Sequence, residues 1–135
     1  MSEQNVEIVR QHIEAWSAED ATRALSFLDP YIVMDLSRTG AWAVDEAVYG
    51  PEAVAEHFRR YAGTFEDYRW AVQRLTDLGA GAVLVVATES GRGKGSGVSV
   101  ERTLAVLYTV VDGKIVRITF FHEEQEALEA AGLSE

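Results

Sequence analysis

The sequence predicts an α+β fold in which helices pack on one face of a sheet and a short helix closes the chain. Apolar residues recur every three or four positions in the first half of the chain, as in amphipathic helices. From Tyr68 onward the apolar period changes to two, which is typical of strands. Helices followed by a run of strands that turn back on one another favour an α+β architecture over alternating βαβ units.

Three helices are predicted in the first half. The first covers residues 3–17, and its far side is charged. A short second helix begins at Asp20 and ends before Asp29-Pro30, because the residue before proline disfavours the helical region. The third begins at Gly50-Pro51, since proline is favoured in a first helical turn. The apolar faces are Val6, Val9, Ile13 and Trp16 in the first helix and Val54, Phe58, Tyr61, Ala62 and Phe65 in the third.

A first strand is predicted at residues 31–36, followed by a long loop over residues 37–50 that could cover a site. Four more strands are predicted at residues 68–77, 82–90, 98–111 and 114–122. Asp112-Gly113 separates the last two and is a strong signal for a two-residue hairpin turn. A short helix over residues 123–130 follows.

Length and composition exclude several classes of protein. A chain of 135 residues is expected to form a single domain over residues 1–135. It has no cysteine, and its three histidines have no metal-binding spacing, so we expect neither a metal nor a cofactor. The net charge of −10 disfavours nucleic acid and membrane partners. Without a signal peptide or an apolar run of membrane-spanning length, a cytoplasmic location is expected.

Strand 98–111 is apolar on both faces, which is unusual for a sheet with one solvated side. Either the sheet is covered on both sides within one chain, or a second copy covers its outer face. We favour the second alternative and predict a homodimer through the sheet face that carries Leu104, Val106 and Tyr108.

Six short fragments occur along the chain in a characteristic order and spacing. They are NVEIVR (5–10), AWSAED (15–20), LDP (28–30), VMD (33–35), GPEAV (50–54) and DGKIVR (112–117). On these fragments the chain resembles the nuclear-transport-factor-2-like superfamily and, within it, the SnoaL-like proteins, which include polyketide cyclases and ketosteroid isomerase. The resemblance implies a cone-shaped, curved mixed or antiparallel sheet wrapped around the three helices, an apolar pocket at its wide end, and dimers formed through the sheets.

The same resemblance implies candidate catalytic residues. Asp35 falls where ketosteroid isomerase has its general base, and His12 falls where that enzyme has an oxyanion-donating tyrosine. The carboxylic acid of that oxyanion hole falls on Ala105, so two of three parts are changed. If Asp35 faces an apolar pocket, its pKa should be raised; the alternative is that Asp35 caps the loop after its strand.

Two further histidines and a group of aromatics complete the candidate site. His12 could instead be a half-buried core histidine with one backbone partner. His122 is expected to point inward because it alternates with Phe120, whereas His57 is expected at the rim. Glu89, Glu101 and Thr88 could add polarity, without a ranking among them. The candidate ligand-binding residues, with Trp42 as part of a lid, are Trp16, Trp42, Phe58, Tyr61, Trp70 and Phe120.

The function predicted from these residues is cofactor-free acid/base chemistry of the isomerase or cyclase type on an apolar, cyclic, oxygenated small molecule. Asp35 would be the base, and His12 or His122 would donate to the developing oxyanion. The alternative is a non-catalytic small-ligand-binding or dimerisation module with the same fold.

Overall fold

A computed structural model describes residues 2–38 and 47–132 and confirms the α+β class. Within these residues the sheet has six strands. The segment of residues 39–46, which includes Trp42 of the predicted lid, lies outside the described residues. The elements are α1 (Ser2–Ser17), α2 (Ala21–Leu25), β1 (Leu28–Asp35), β2 (Ala47–Tyr49), α3 (Pro51–Ala62), β3 (Phe65–Gly79), β4 (Ala82–Gly93), β5 (Ser99–Val111), β6 (Lys114–Phe121) and α4 (Glu124–Ala130).

The strands form one mixed sheet in the order β2-β1-β6-β5-β4-β3. β1 runs parallel to β6, and every other pair is antiparallel. The hairpin between β5 and β6 turns at Asp112 and Gly113, whose φ angles of 51° and 80° are both positive, as the predicted Asp-Gly turn requires. No helix among the residues described is long and apolar enough to cross a membrane.

The inner face of the sheet carries the main core. Val85 pairs with Val106, Val106 pairs with Phe120, and all three are buried. They pack with Val9 of α1 and Val54 of α3 in one apolar cluster. Period-two alternation therefore identified which residues of a strand share a face, because the inner residues of each strand are the alternate ones.

The prediction that Leu104, Val106 and Tyr108 form an outer, dimer-forming face is wrong. All three belong to the core cluster on the helix side of the sheet and are at most 2% exposed. Both faces of β5 are apolar, so alternation alone could not identify which one meets the helices.

The outer face is covered in part by α4. Leu84, Ala105 and Phe121 form a second cluster with Ala127 of that helix. The Arg74 guanidinium of β3 donates two hydrogen bonds to the Glu124 carboxylate, over 2.8 and 2.6 Å, and ties α4 to the sheet. Cover within the chain thus accounts for part of the apolar character on this side.

Several boundaries differ from those predicted. α3 ends at Ala62, so Phe65, which was predicted on its apolar face, begins β3 instead. α2 ends at Leu25, and Asp29-Pro30 lies inside β1 rather than at a helix end. The pairing of β1 with β6 shifts between Leu28 and Val33, and this irregularity accommodates a proline that has no N–H for the ladder. The predicted loop 37–50 contains β2, which pairs with the last part of β1.

Candidate functional site

A narrow pocket lies between α3 and the inner face of the sheet. The pocket has a volume of about 10 Å³, which is room for about one water molecule. Its walls are aromatic and aliphatic apart from His57 and one carboxylate, that of Glu89. The lining residues are Leu36, His57, Phe58, Tyr61, Tyr68, Trp70, Glu89, Leu104 and Phe120.

Glu89 is a buried carboxylate, 2% exposed, in the wall of this pocket. Its Oε1 accepts hydrogen bonds from the Tyr61 hydroxyl at 3.0 Å and from Arg102 Nε at 2.6 Å. Its Oε2 accepts one from the Tyr68 hydroxyl at 2.6 Å. A buried charge is costly unless it is paired and hydrogen-bonded, and here it is both.

The two tyrosine hydroxyls extend this network on either side. Arg102 also donates through Nη2 to the Tyr61 hydroxyl, at 2.7 Å, so the guanidinium contacts both Glu89 and its partner. The Trp70 indole N–H donates to the Tyr68 hydroxyl at 3.0 Å. We call Tyr61, Tyr68, Trp70, Glu89 and Arg102 the Glu89 network.

Three groups of the network, Tyr61, Tyr68 and Arg102, have raised pKa values. Burial, and then the negative charge of Glu89, raise the pKa of Tyr61 to about 12, and the same two causes raise the pKa of Tyr68. Although burial opposes it, the pKa of Arg102 is raised by its hydrogen bonds to Glu89 and Tyr61. At neutral pH the network therefore holds two neutral phenols and a cationic guanidinium around the carboxylate.

Asp35 lies outside the pocket, at the end of β1. Its carboxylate accepts from the backbone N–H and the hydroxyl of Ser37, at 2.9 and 2.6 Å, and from Arg117 at 2.7 Å. Partial burial acts to raise the pKa of Asp35, but the bonds from Ser37 and the charge of Arg117 outweigh it, and the pKa is lowered. The expectation of a raised pKa is wrong, and the capping alternative matches these contacts.

His12 is a core residue, 1% exposed. Its Nε2 accepts from the Trp16 indole N–H at 3.1 Å, so Nδ1 carries the hydrogen and donates to the Ala24 carbonyl at 2.9 Å. Burial lowers the pKa of His12 to about 4. Both ring nitrogens of His12 therefore make hydrogen bonds within the protein, and His12 does not line the pocket.

His122 is exposed just beyond β6, so the expectation that it points inward is wrong. The strand ends at Phe121, and the alternation that would have placed His122 inside ends with it. The contacts of His12 and those of Asp35 share no residue, so the structure does not assemble the predicted acid/base pair. Catalytic roles for Asp35, His12 and His122 stay predictions that only activity measurements can test.

Four predicted ligand-binding aromatics do meet at the pocket: Phe58, Tyr61, Trp70 and Phe120. Trp16 packs on Phe58 with ring centroids 5.2 Å apart but does not line the pocket. His57 lines it and stacks on Tyr61, at an interplanar angle of 4°.

Sequence reasoning missed Tyr68 and Arg102 and did not rank Glu89. A signal for the carboxylate was present, because period two places Glu89 on the same face as Val83, Val85 and Ala87. Arg102 stands directly opposite Glu89 in the β4–β5 pairing, but the register of these two long strands is not evident from the sequence. Among the residues that the structure describes, no group of three or more His, Asp or Glu side chains is placed to hold a metal ion.

A family comparison matches the SnoaL-like domain over residues 9–118. The chain belongs to the SnoaL-like family. The resemblance identified from the sequence is thereby confirmed. A comparison of this SnoaL-like chain with curated proteins finds no match.

Solved structures share the fold of this SnoaL-like protein at low sequence identity. TerC co-crystallised with polyporic acid is 16% identical, with a TM-score of 0.76 and coverage of 96% of this chain and 97% of TerC. A protein from Catenulispora acidiphila with a ketosteroid isomerase-like fold, in complex with trimethylamine, is 17% identical, with a TM-score of 0.72 and coverage of 94% and 93%. An NTF2-like protein from Burkholderia thailandensis is 24% identical, with a TM-score of 0.78 and coverage of 96% and 95%.

Proposed function

We propose that this SnoaL-like protein is a cofactor-free enzyme of the isomerase or cyclase type, acting on an apolar, cyclic, oxygenated small molecule. The observation that carries the proposal is the buried carboxylate of Glu89 in the wall of a pocket that is otherwise almost entirely apolar. Apolar walls suit a ring, and one polar group in the wall fixes the orientation of the ring.

Glu89 is the proton acceptor in this proposal. A carboxylate offers about four lone-pair sites. Among the described residues, Oε2 accepts a hydrogen bond from Tyr68 alone. Oε2 therefore retains acceptor capacity for a proton from the ligand, either from a hydroxyl or from a carbon next to a carbonyl.

Tyr68 is the complementary donor. While Glu89 is ionised, the Tyr68 hydroxyl donates to it. When Glu89 takes a proton from the ligand carbon, its new O–H can hydrogen-bond to the Tyr68 oxygen, and Tyr68 no longer has to donate to a carboxylate. The Tyr68 O–H then donates a hydrogen bond to the enolate oxygen of the ligand, and Glu89 returns the proton to a different carbon, which completes an isomerisation without a cofactor.

Two structural neighbours support the idea that this fold holds small molecules, since TerC was crystallised with polyporic acid and the Catenulispora protein with trimethylamine. Because their identities to this chain are low, they support a ligand site in general terms and no particular substrate.

The experiment uses 2-tetralone, an apolar cyclic ketone whose carbon-bound protons next to the carbonyl exchange with solvent. Proton NMR in D₂O follows the loss of those protons. Wild type should accelerate the exchange over buffer, and Glu89→Gln should reduce the acceleration about 10²- to 10⁴-fold, because an amide cannot take the proton.

Asp35→Asn is the matched control, since it makes the same change from carboxylate to amide outside the pocket. It should keep the wild-type exchange rate. An unchanged exchange rate in Glu89→Gln, with loss of exchange in Asp35→Asn, would identify Asp35 as the general base. Binding of 2-tetralone by wild type without faster exchange would favour the non-catalytic ligand-binding module.

A further inference from the structure

A second, larger space adjoins the pocket. It is an open groove between α1 and β3. Its volume is about 510 Å³, whereas that of the pocket is about 10 Å³. The groove is lined by Arg10, Ile13, Glu14, Ser17, Trp70, Val72, Gln73, Arg74 and Leu75. Trp70 is the residue common to both linings.

Trp70 therefore stands as a wall between the two spaces. It is half-buried, its indole N–H donates to Tyr68, and its ring meets Phe120 edge-on at a centroid distance of 6.4 Å. In the described part of the chain β3 is an edge strand that pairs with β4 alone, and its register with β4 shifts between Val72 and Arg74, just after Trp70. An edge strand with an adjacent bulge gives the indole fewer constraints than a central strand would.

We propose that the pocket and the groove are two halves of one ligand site, with Trp70 as a movable partition between them. The ligand is an elongated molecule: a hydroxyl- or carbonyl-bearing ring reaches Glu89, and an uncharged chain lies in the groove. This inference rests on the proposed function, because it uses the same pocket and the same carboxylate.

The size of the pocket requires such a movement. A space for about one water cannot hold a six-membered ring, so a ring can reach Glu89 only if a wall residue moves. Among the described residues, Trp70 is the wall residue that also lines the groove.

The chemistry of the groove indicates what lies there. Its two arginines are already paired, Arg10 with Glu7 and Arg74 with Glu124. The remaining charged side chain of the lining, Glu14, would repel an anion. Val72, which is exposed, and Leu75 supply apolar surface beside the uncharged polar side chains of Ser17 and Gln73, so an uncharged chain fits better than a phosphate or carboxylate.

The test compares two fluorescent probes, 2-naphthol and 2-naphthol with a hexyl chain at position 6. Wild type should bind the hexyl probe at least about tenfold more tightly, because the chain buries apolar surface in the groove. Glu14→Trp fills the groove from an exposed position on α1 and should remove that difference. Glu3→Trp, which is exposed on α1 but outside the groove lining, is the matched control and should retain it.

The partition is tested by the kinetics of binding. Trp70→Ala should raise the association rate of both probes at least about tenfold, since it joins the two spaces. Trp70→Phe, which removes the hydrogen bond to Tyr68 but keeps an aromatic ring, should raise it less, and this variant carries the test if Trp70→Ala does not fold. Association rates that are unchanged in the folded Trp70 variants would overturn the partition.

Equal affinity of wild type for the two probes, or a hexyl preference that survives in Glu14→Trp, would overturn the two-part site. These outcomes are separate from those of the 2-tetralone experiment. The groove can bind a chain whether or not Glu89 moves protons, and Glu89 can move protons in a site without a second half.

Discussion

The Tyr68 hydroxyl donates to Oε2 of Glu89 across 2.6 Å while accepting a hydrogen bond from Trp70. This single oxygen therefore connects the carboxylate to the residue that separates pocket from groove. When Trp70 moves, Tyr68 loses a donor, and its oxygen gains capacity to accept a hydrogen bond from a protonated Glu89 or from a ligand. In the proposed site, the hydrogen bonds of Tyr68 to Trp70 and to Glu89 therefore couple ligand entry to proton transfer.

Removal of the Glu89 charge should change the titration of the tyrosines. Glu89 raises the pKa of Tyr61 to about 12 together with burial, so Glu89→Gln should shift part of the tyrosinate absorbance to lower pH. Ultraviolet absorbance at alkaline pH measures this shift. Tyr108, whose pKa is raised by burial alone, is the internal reference and should still ionise late in the variant. A titration identical to that of wild type would contradict a contribution of Glu89 to the raised pKa of Tyr61.

His12 should make the protein less stable in mild acid. The imidazole stays neutral in the folded state down to a pKa of about 4, whereas the unfolded chain takes up a proton near pH 6.5. The unfolded state therefore binds more protons between these values, and the free energy of unfolding should fall by about 3 kcal/mol as the pH decreases from 6.5 to 4.

Urea denaturation of wild type and His12→Gln at several pH values isolates this contribution, because other groups titrate in both proteins. The difference between them should shrink as the pH falls. The same slope in His12→Gln and wild type would contradict the buried neutral imidazole.

Asp35 should contribute to stability rather than to chemistry. Asp35→Ala removes the acceptor of the Ser37 N–H and should lower the free energy of unfolding by about 1 kcal/mol, whereas Asp35→Asn keeps an acceptor oxygen and should cost less. Because the folded-state pKa is lowered, this contribution is present above the ordinary pKa of aspartate and is lost as the pH falls through the folded value. Thermal melts at pH 7 and pH 3 measure both effects; an Asp35→Ala variant as stable as wild type at pH 7 would rule out the cap.

A homodimer through the sheet stays a prediction, with different residues from those first expected. The outer face beyond the cover of α4 includes Thr103, which is exposed and pairs with Thr88. Thr103→Glu would bury an unpaired charge in such a dimer and should yield monomers by sedimentation. Val98→Glu makes the same change in charge at a site that is 60% exposed between β4 and β5, and it should leave the dimer intact. A wild-type protein that sediments as a monomer at micromolar concentration would contradict the dimer itself.

The fold could be predicted from local signals because each element has its own. The spacing of Val9 and Ile13 gave the first helix, Pro51 gave the start of α3, and Asp112-Gly113 gave the last hairpin. Errors occurred where a tertiary effect overrides a local one, as at Pro30, which β1 accommodates through an irregular pairing with β6.

The site was harder to predict because it depends on register and on which sheet face meets the helices. Glu89 and Arg102 are 13 positions apart in sequence and become partners only through the β4–β5 pairing. Tyr61 comes from a helix and Tyr68 from the next strand, and only their packing brings both hydroxyls to one carboxylate. Asp35 and His12 fall at positions where ketosteroid isomerase has catalytic groups, but here Asp35 accepts a hydrogen bond from Ser37 and His12 accepts one from Trp16.

The α4 helix follows the last strand and adds no strand to the sheet, so the sheet can form without it. Leu84, Ala105 and Phe121 lose their intramolecular cover whenever that helix detaches. In that state the sheet presents an apolar strip to chaperones or to neighbouring chains. A purified chain that ends after Phe121 should therefore form its helices and sheet but bind a hydrophobic dye through its outer side.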